Sequence, residues 1–153
     1  MRIRILLGIL GISTVALTLA SSAPAAADQL LGQYFSIQRS LASDSVSGVQ
    51  AAAVQIAKLS RQEAATQAAE RAQLLALAGS ASKLNASNLK AARTGFGDLS
   101  DKLIAYLKAS KAKRNPPFQF YCSMAKKNWL QPDNAVRNPY YGSAMPTCGE
   151  LVK

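Results

Sequence analysis

Between Asp28 and Lys113 the chain contains no proline and no cysteine, and this uninterrupted stretch limits the fold more than any other feature. It is rich in Ala, Leu, Gln, Ser and Lys, residues that lose little side-chain freedom in a helix. Its apolar residues recur with helical spacing. In DQLLGQYFSIQRSLAS, Leu30, Tyr34, Ile37 and Leu41 form one stripe, the i, i+3, i+4 pattern of a core-facing face. Asp44-Ser45 and Ser47-Gly48 break that helix and can cap a second. There Val49, Ala53, Ile56 and Ala57 repeat the spacing, with an end expected near Leu59. A third segment, RQEAATQAAERAQLLALAG, carries Leu74, Leu75 and Leu77 and stops, on this reading, at Gly79-Ser80. A turn near Asn85 to Asn88 leads into a fourth, with the stripe Leu89, Phe96, Leu99, Leu103, Tyr106 and Leu107. Gly95 and Gly97 lower its helix propensity, so close packing is expected to hold them. The spacing predicts a mainly α fold, an antiparallel bundle of three to four helices. No fixed-period repeat is visible.

The N-terminal end has a different character. Met1-Arg2-Ile3-Arg4 is basic, Ile5 to Ala20 is apolar, and Ala25-Ala26-Ala27 follows Pro24. A basic start, a short apolar run and an A-x-A end describe a secretory signal peptide over residues 1–27, cleaved after Ala27. Such a signal fits export to a bacterial periplasm. The competing reading is an uncleaved anchor, although the run is short and rich in Gly, Ser and Thr for a span of about 20 residues. No membrane span is expected after cleavage. No cysteine follows the apolar run closely, which argues against a lipid anchor. Residues 28–153 then form one domain with a modest core.

The whole chain carries a formal charge of +10 and no histidine. An exported protein has little occasion to meet nucleic acid, so no nucleic-acid partner is expected. Lys108, Lys111, Lys113 and Arg114 cluster where the last helix is expected to end, and cations there complement its C-terminus. Attraction to an anionic envelope surface or an acidic partner is the other reading of that cluster. Catalysis is the weakest class. Without histidine there is no Ser-His or Cys-His pair, there is no C-x-x-C, and Glu63 with Glu70 suits a solvated face. The expectation is that the protein is not an enzyme.

From Asn115 to Lys153 the composition changes, with five of the six prolines and both cysteines. Phe118, Phe120 and Cys122 alternate with Gln119, Tyr121 and Ser123, so residues 118–124 read as a short strand. Trp129-Leu130 continues it as a hairpin after a turn at Lys126 to Asn128. The rest of this 115–153 tail reads as irregular, packed over one end of the bundle. Asn138-Pro139-Tyr140-Tyr141-Gly142 is a turn signal in which proline fixes one backbone angle and glycine permits an unusual one. Trp129, Arg137, Asn138, Pro139, Tyr140 and Gly142 are therefore read as structural support that positions Met145 and Cys148. Tyr121, Trp129, Tyr140 and Tyr141 form either the tail's own core or a partner-binding surface.

Four sulfurs flank this tail: Cys122 and Met124 in a C-x-M, Met145 and Cys148 in an M-x-x-C. One reading is a disulfide from Cys122 to Cys148, as compartment favours. It closes a loop of about 27 residues and is worth roughly 3–4 kcal/mol on the chain-entropy estimate. The other reading is a metal site. Two thiolates and two thioethers are soft ligands and select Cu(I) or a similar ion such as Ag(I), whereas zinc would want histidine or more cysteines. Cys122 and Met124, two apart on a strand, would face one side. Met145 and Cys148 would converge across a turn at Pro146-Thr147. The two readings exclude each other at any moment but can alternate, with a reduced tail binding Cu(I) and oxidation releasing it.

Cys122, Met124 and Ala125; Trp129 and Leu130; Arg137 to Gly142; and Met145, Cys148, Gly149 and Glu150 together resemble a periplasmic domain family of formally unknown function. Its members occur as small exported proteins or fused to membrane-fusion adaptors of copper and silver efflux systems. The family pattern reads C-P-M-A, W-L, I-R-N-P-Y-[FY]-G and M-x-x-C-G-E, and this chain departs from it at Ser123, where proline is usual. Tyr34 to Leu41 is similar to the family's opening helix, and Arg93 to Leu103 to its R-x-x-F-x-x-L-S segment. The resemblance implies a helical bundle, a link to heavy-metal handling, and a metal-efflux adaptor or periplasmic metal-handling protein as partner. Relatives with histidines in their helices differ from this chain, so no metal site beyond the tail is carried over.

Overall fold

Leu30, Tyr34, Ile37 and Leu41 are all fully buried, because one face of a single helix, α1 (Ala26–Ala42), carries them. In the computed structural model the described residues are 26–110 and 117–152. The signal-peptide reading of residues 1–27 thus falls, apart from Ala26 and Ala27, outside the described residues, as do Lys111, Lys113, Arg114, Asn115 and Pro116. Three further helices follow: α2 (Val49–Thr66), α3 (Arg71–Lys83) and α4 (Leu89–Ala109). Each packs on its neighbour in sequence and α1 also meets α4, as in a bundle. Among the described residues no helix is long and apolar enough to cross a membrane.

The helix boundaries differ from the sequence reading in the middle of the chain. α2 runs on to Thr66, and the break comes at residues 67–70. A straight helix would turn Leu74 about 80° away from the stripe that ends at Ala64. Breaking the helix lets Leu74, Leu77 and Ala81 face the same core as Ile56 and Ala64. Gly79-Ser80 does not stop α3, which runs on to Lys83 with the Ser80 and Ser82 hydroxyls donating back to the Leu77 and Ala78 carbonyls, each at 2.9 Å. The next boundary falls where the sequence places it. The Asn88 side chain caps α4 by accepting from the Ala91 N–H at 2.9 Å. Gly95 lies against Leu84, where a Cβ would come within 3.2 Å of its Cα.

The tail is more regular than its composition suggests. β1 (Phe118–Cys122) and β2 (Lys127–Gln131) form an antiparallel hairpin in which Phe120 faces Trp129. A two-residue strand, β3 (Glu150–Leu151), pairs with the other edge of β1, giving the order β2-β1-β3. Alternation could reveal the hairpin, but so short a strand carries no periodic signal. The sheet reaches the bundle through β2, which packs on α4 and α1.

An aromatic chain continues the bundle core into the sheet. Tyr34 stacks on Phe96 at 5.0 Å, Phe96 meets Tyr140 at 5.8 Å, Tyr140 meets Trp129 edge-on at 6.0 Å, and Trp129 stacks on Phe120 at 5.4 Å. Trp129 and Tyr140 are thus buried in a shared core, while Tyr121 is exposed and Tyr141 half-buried. At the bundle end, the Tyr34 hydroxyl shares a 2.7 Å hydrogen bond with Ser100 and accepts from the Leu130 N–H at 3.1 Å. Burial pushes its ionisation far above the usual range, against the two hydrogen bonds, so it stays a neutral phenol.

A second tie holds the loop after Pro139. Arg93 donates to the Pro139 carbonyl at 3.0 Å, to the Leu41 carbonyl at 3.0 Å and to the Asp44 carboxylate at 2.6 Å. The other Asp44 oxygen accepts from the Ser143 N–H at 3.0 Å. Gly142 opens a 3-10 turn (Gly142–Ala144) with φ of 55°, and a Cβ there would strike Asp44 and Arg93. The hydrogen bond to Ser143, then that to Arg93, brings the Asp44 carboxyl down to about 2.

Two outcomes are expected. Tyr34→Phe leaves the Leu130 N–H buried without a partner and should lower unfolding free energy by about 1–3 kcal/mol in urea melts; an unchanged midpoint would exclude the hydroxyl as a tie. Because the folded Asp44 pKa is depressed, its stabilisation is complete above the unfolded value near 4. It is lost as pH falls towards about 2. Acid unfolding followed by Trp129 fluorescence should therefore be shallower between those values in Asp44→Asn than in wild type.

Candidate functional site: a paired thiol centre

Cys122 closes β1 and is fully buried. Cys148, half-buried, lies two residues before Glu150, the partner of Tyr121 in the β1–β3 pairing. The sheet register thus brings together two residues 26 apart in sequence, with their sulfurs 2.9 Å apart as free thiols. That separation exceeds the ~2.05 Å of an S–S bond. It is shorter than the roughly 3.8 Å between two thiolates that share one tetrahedral ion at bonds of about 2.3 Å. A displacement of about 1 Å in either direction reaches one state or the other.

The four-residue turn 123–126 wraps around the Cys122 sulfur. Lys126 takes a positive φ of 52° to make it, and the Ala125 N–H donates to Cys122 Sγ at 3.4 Å. Met124 therefore lies in the turn and not on the strand, which ends at Cys122. The expectation that Cys122 and Met124 face one side of a strand is corrected on this point, since Met124 is 60 % exposed whereas Cys122 has no exposure. The Pro146-Thr147 turn does form, closed by a 3.3 Å bond from the Cys148 N–H to the Met145 carbonyl. Met145 is half-buried at its start.

Asn138 occupies the centre. It is fully buried, and its Nδ2 donates to the Cys148 carbonyl at 2.8 Å and reaches Cys122 Sγ at 3.5 Å. Its Oδ1 accepts from the Tyr140 and Tyr141 N–H groups at 2.8 and 3.3 Å. Its own N–H donates to the Pro146 carbonyl at 2.9 Å. One side chain thereby joins both cysteines to the Pro139–Gly142 turn. Pro139 offers its carbonyl to Arg93, and the Tyr140 hydroxyl donates to the Asn128 carbonyl at 2.5 Å. Arg137 pairs with Asp133 on the outer side of the loop, away from both sulfurs in its bonding. Trp129 packs so closely on Gly149, the residue after Cys148, that no Cβ fits there.

Electrostatics separate the two thiols. Burial opposes the Cys122 thiolate, but hydrogen bonds from Cys148, Ala125, Asn138 and the Met124 N–H outweigh it and hold this thiol below its ordinary value. Cys148 is pushed up, first by the hydrogen bond it gives Cys122, then by burial and the neighbouring charge. The hydrogen bond from Cys148 thus eases the first ionisation of the pair and opposes the second.

Sequence reasoning missed three supports. Gln131 is fully buried; it accepts from the Trp129 indole N–H at 3.0 Å and donates to the Asp133 and Ala135 carbonyls at 2.9 and 2.7 Å. Its signal was a polar residue directly after the apolar Trp129-Leu130. Ser100 and the Asp44–Arg93 pair carried no local signal, because their partners are distant in sequence. Among the described residues no three His, Cys, Asp or Glu side chains come together, so a metal centre here would rest on the cysteines with nearby methionine. A groove of about 920 Å³ between α3 and α4 is lined by Lys83, Lys90, Asp98, Asp101 and Lys102 among others, and its lining includes no sulfur.

Compared with known proteins, the chain matches no family model, no curated protein and no solved structure.

Asn138→Ala should destabilise the protein by at least about 2 kcal/mol, because it strands buried N–H and carbonyl groups on both sides of the site. Equilibrium denaturation measures this, and a loss below about 0.5 kcal/mol would show that Asn138 is not its central strut.

Proposed function

We propose that this is an exported protein that captures a soft metal ion, Cu(I) or Ag(I), on Cys122 and Cys148. In this reading it acts in a bacterial periplasm, and its partner is a metal-efflux adaptor or another periplasmic metal-handling protein. The resemblance of its tail to an efflux-associated domain family supports that setting. It is a binding protein and not an enzyme.

The observation that carries the reading is the set of N–H donors gathered on the Cys122 sulfur. Ala125 and Asn138 both donate to it, and such donors stabilise a thiolate, the form in which cysteine ligates metal. The donor set suits a soft ion, since thiolate and thioether sulfur prefer Cu(I) to hard cations. Met145 stands at the turn that ends on Cys148, and Met124 is exposed at the rim. The sulfurs have to move apart by about 0.9 Å to share an ion, a motion available to Cys148, which sits on a surface turn.

A second reading is favoured by the 2.9 Å separation itself. Oxidation closes the pair to a disulfide that staples β3 and its preceding loop to β1, and the tail then serves as a rigid interaction module without metal. The two states alternate on the same sulfurs.

Reduced, metal-free protein titrated with Cu(I) against a competing chelator should take up one equivalent. Cys122→Ser and Cys148→Ser should each weaken binding by more than about 100-fold, and Met145→Ala by about tenfold. Reduced wild type that leaves Cu(I) on the chelator removes the metal reading. A thiol count near zero on protein as isolated, with unchanged stability on adding Cu(I), would establish the staple instead.

A further inference from the structure

Cys122 and Cys148 differ in how the fold encloses them. Cys122 is sealed under the 123–126 turn with no exposed surface, whereas Cys148 lies half-buried on the loop between Met145 and Glu150. The donors Ala125 N–H and Asn138 Nδ2 point at the Cys122 sulfur, and Asn138 engages Cys148 through its carbonyl. An incoming sulfur nucleophile can reach one member of the pair, and the fold prepares the other to hold negative charge. That division of labour is what thiol–disulfide exchange requires: an accessible sulfur to attack and a stabilised thiolate to leave.

We propose that the Cys122–Cys148 pair is an exchange-competent dithiol whose disulfide is opened by a thiol reductant at Cys148, with Cys122 as the leaving sulfur. The proposal rests on the same sulfur pairing as the metal reading but does not require metal. With the pair oxidised, a reductant thiolate bonds to Cys148 Sγ. The S–S bond breaks, and its electron pair departs on Cys122 Sγ, where the Ala125 and Asn138 donors receive it. A mixed disulfide remains on Cys148. A second reductant thiolate attacks the reductant's own sulfur in that mixed disulfide and leaves as the oxidised reductant. Cys148 departs as a thiolate and takes up a proton. Two thiols are oxidised and one disulfide is reduced, and the dithiol ligand pair is restored. Reduction by a thiol partner is thereby the step that readies the site for a soft ion, and it proceeds through Cys148 alone.

The test uses full-length, metal-free protein, oxidised until no free thiol titrates. Limiting reduced glutathione is added, the mixture is acid-quenched and alkylated, and the peptides carrying each cysteine are identified by mass spectrometry. Glutathione is expected on Cys148, with the alkyl group on Cys122, in at least about tenfold excess over the reverse. In parallel, Cys148 in Cys122→Ser should react with a chromogenic disulfide at least about ten times faster than Cys122 in Cys148→Ser. Glutathione on Cys122, an even split, equal rates in the two variants, or a wild type whose thiols resist oxidation would each overturn the proposal. Because no metal is present, failure of Cu(I) to bind leaves these outcomes unchanged, and their failure leaves the copper titration free to succeed.

Discussion

The Tyr34 hydroxyl is the point on which the rest of the molecule depends. It lies in the middle of the core, fully buried on α1, and serves Ser100 on α4 and the Leu130 N–H on β2 together. A buried backbone N–H costs free energy unless paired, and Leu130 finds its partner on the helical bundle and not within the sheet. The tail is therefore docked by a polar requirement as well as by apolar burial. The aromatic chain from Tyr34 to Phe120 fills the space around that bond.

The paired thiols follow from this docking. With β2 held to the bundle, β1 is positioned by the hairpin register and Cys122 by the end of β1. Gln131 fixes the loop after β2 and the Trp129 ring, while Arg93 and Asp44 fix the loop around Gly142. Between these two anchored loops, Asn138 spans the gap and sets Cys148 beside Cys122. Each sulfur is thus located by contacts far from it in sequence. The consequence is chemical asymmetry within a pair of identical residues, one enclosed by N–H donors and one on the surface side.

Much of the bundle was legible because helical periodicity is a local property. The stripe of α1 and most of that of α4 can be read directly, as can the Asn88 cap, since each depends on residues within a few positions. The third segment was misplaced because Gly79-Ser80 looks like a stop and residues 67–70 do not. What breaks the helix there is the need to bring Leu74 and Leu77 back to the shared core. The site was legible in part. Cys122, Met145, Cys148 and the turn residues stand out by type and spacing, but Met124 was placed on the wrong element because the turn around the Cys122 sulfur has no strand-like or helical signature.

By itself the sequence determined that this chain carries a run of helices beginning near Asp28, that its tail is aromatic and turn-rich, and that all its sulfur except Met1 is gathered in that tail. Those properties are carried by composition and short-range spacing. Only the tertiary structure decided that β3 returns to β1, that the two sulfurs come within 2.9 Å, and that Cys122 is the one enclosed. These depend on partners such as Tyr34 with Leu130 and Asp44 with Ser143, separated by 96 and 99 residues. No local pattern encodes such pairings, because their energy appears only once both segments are buried together.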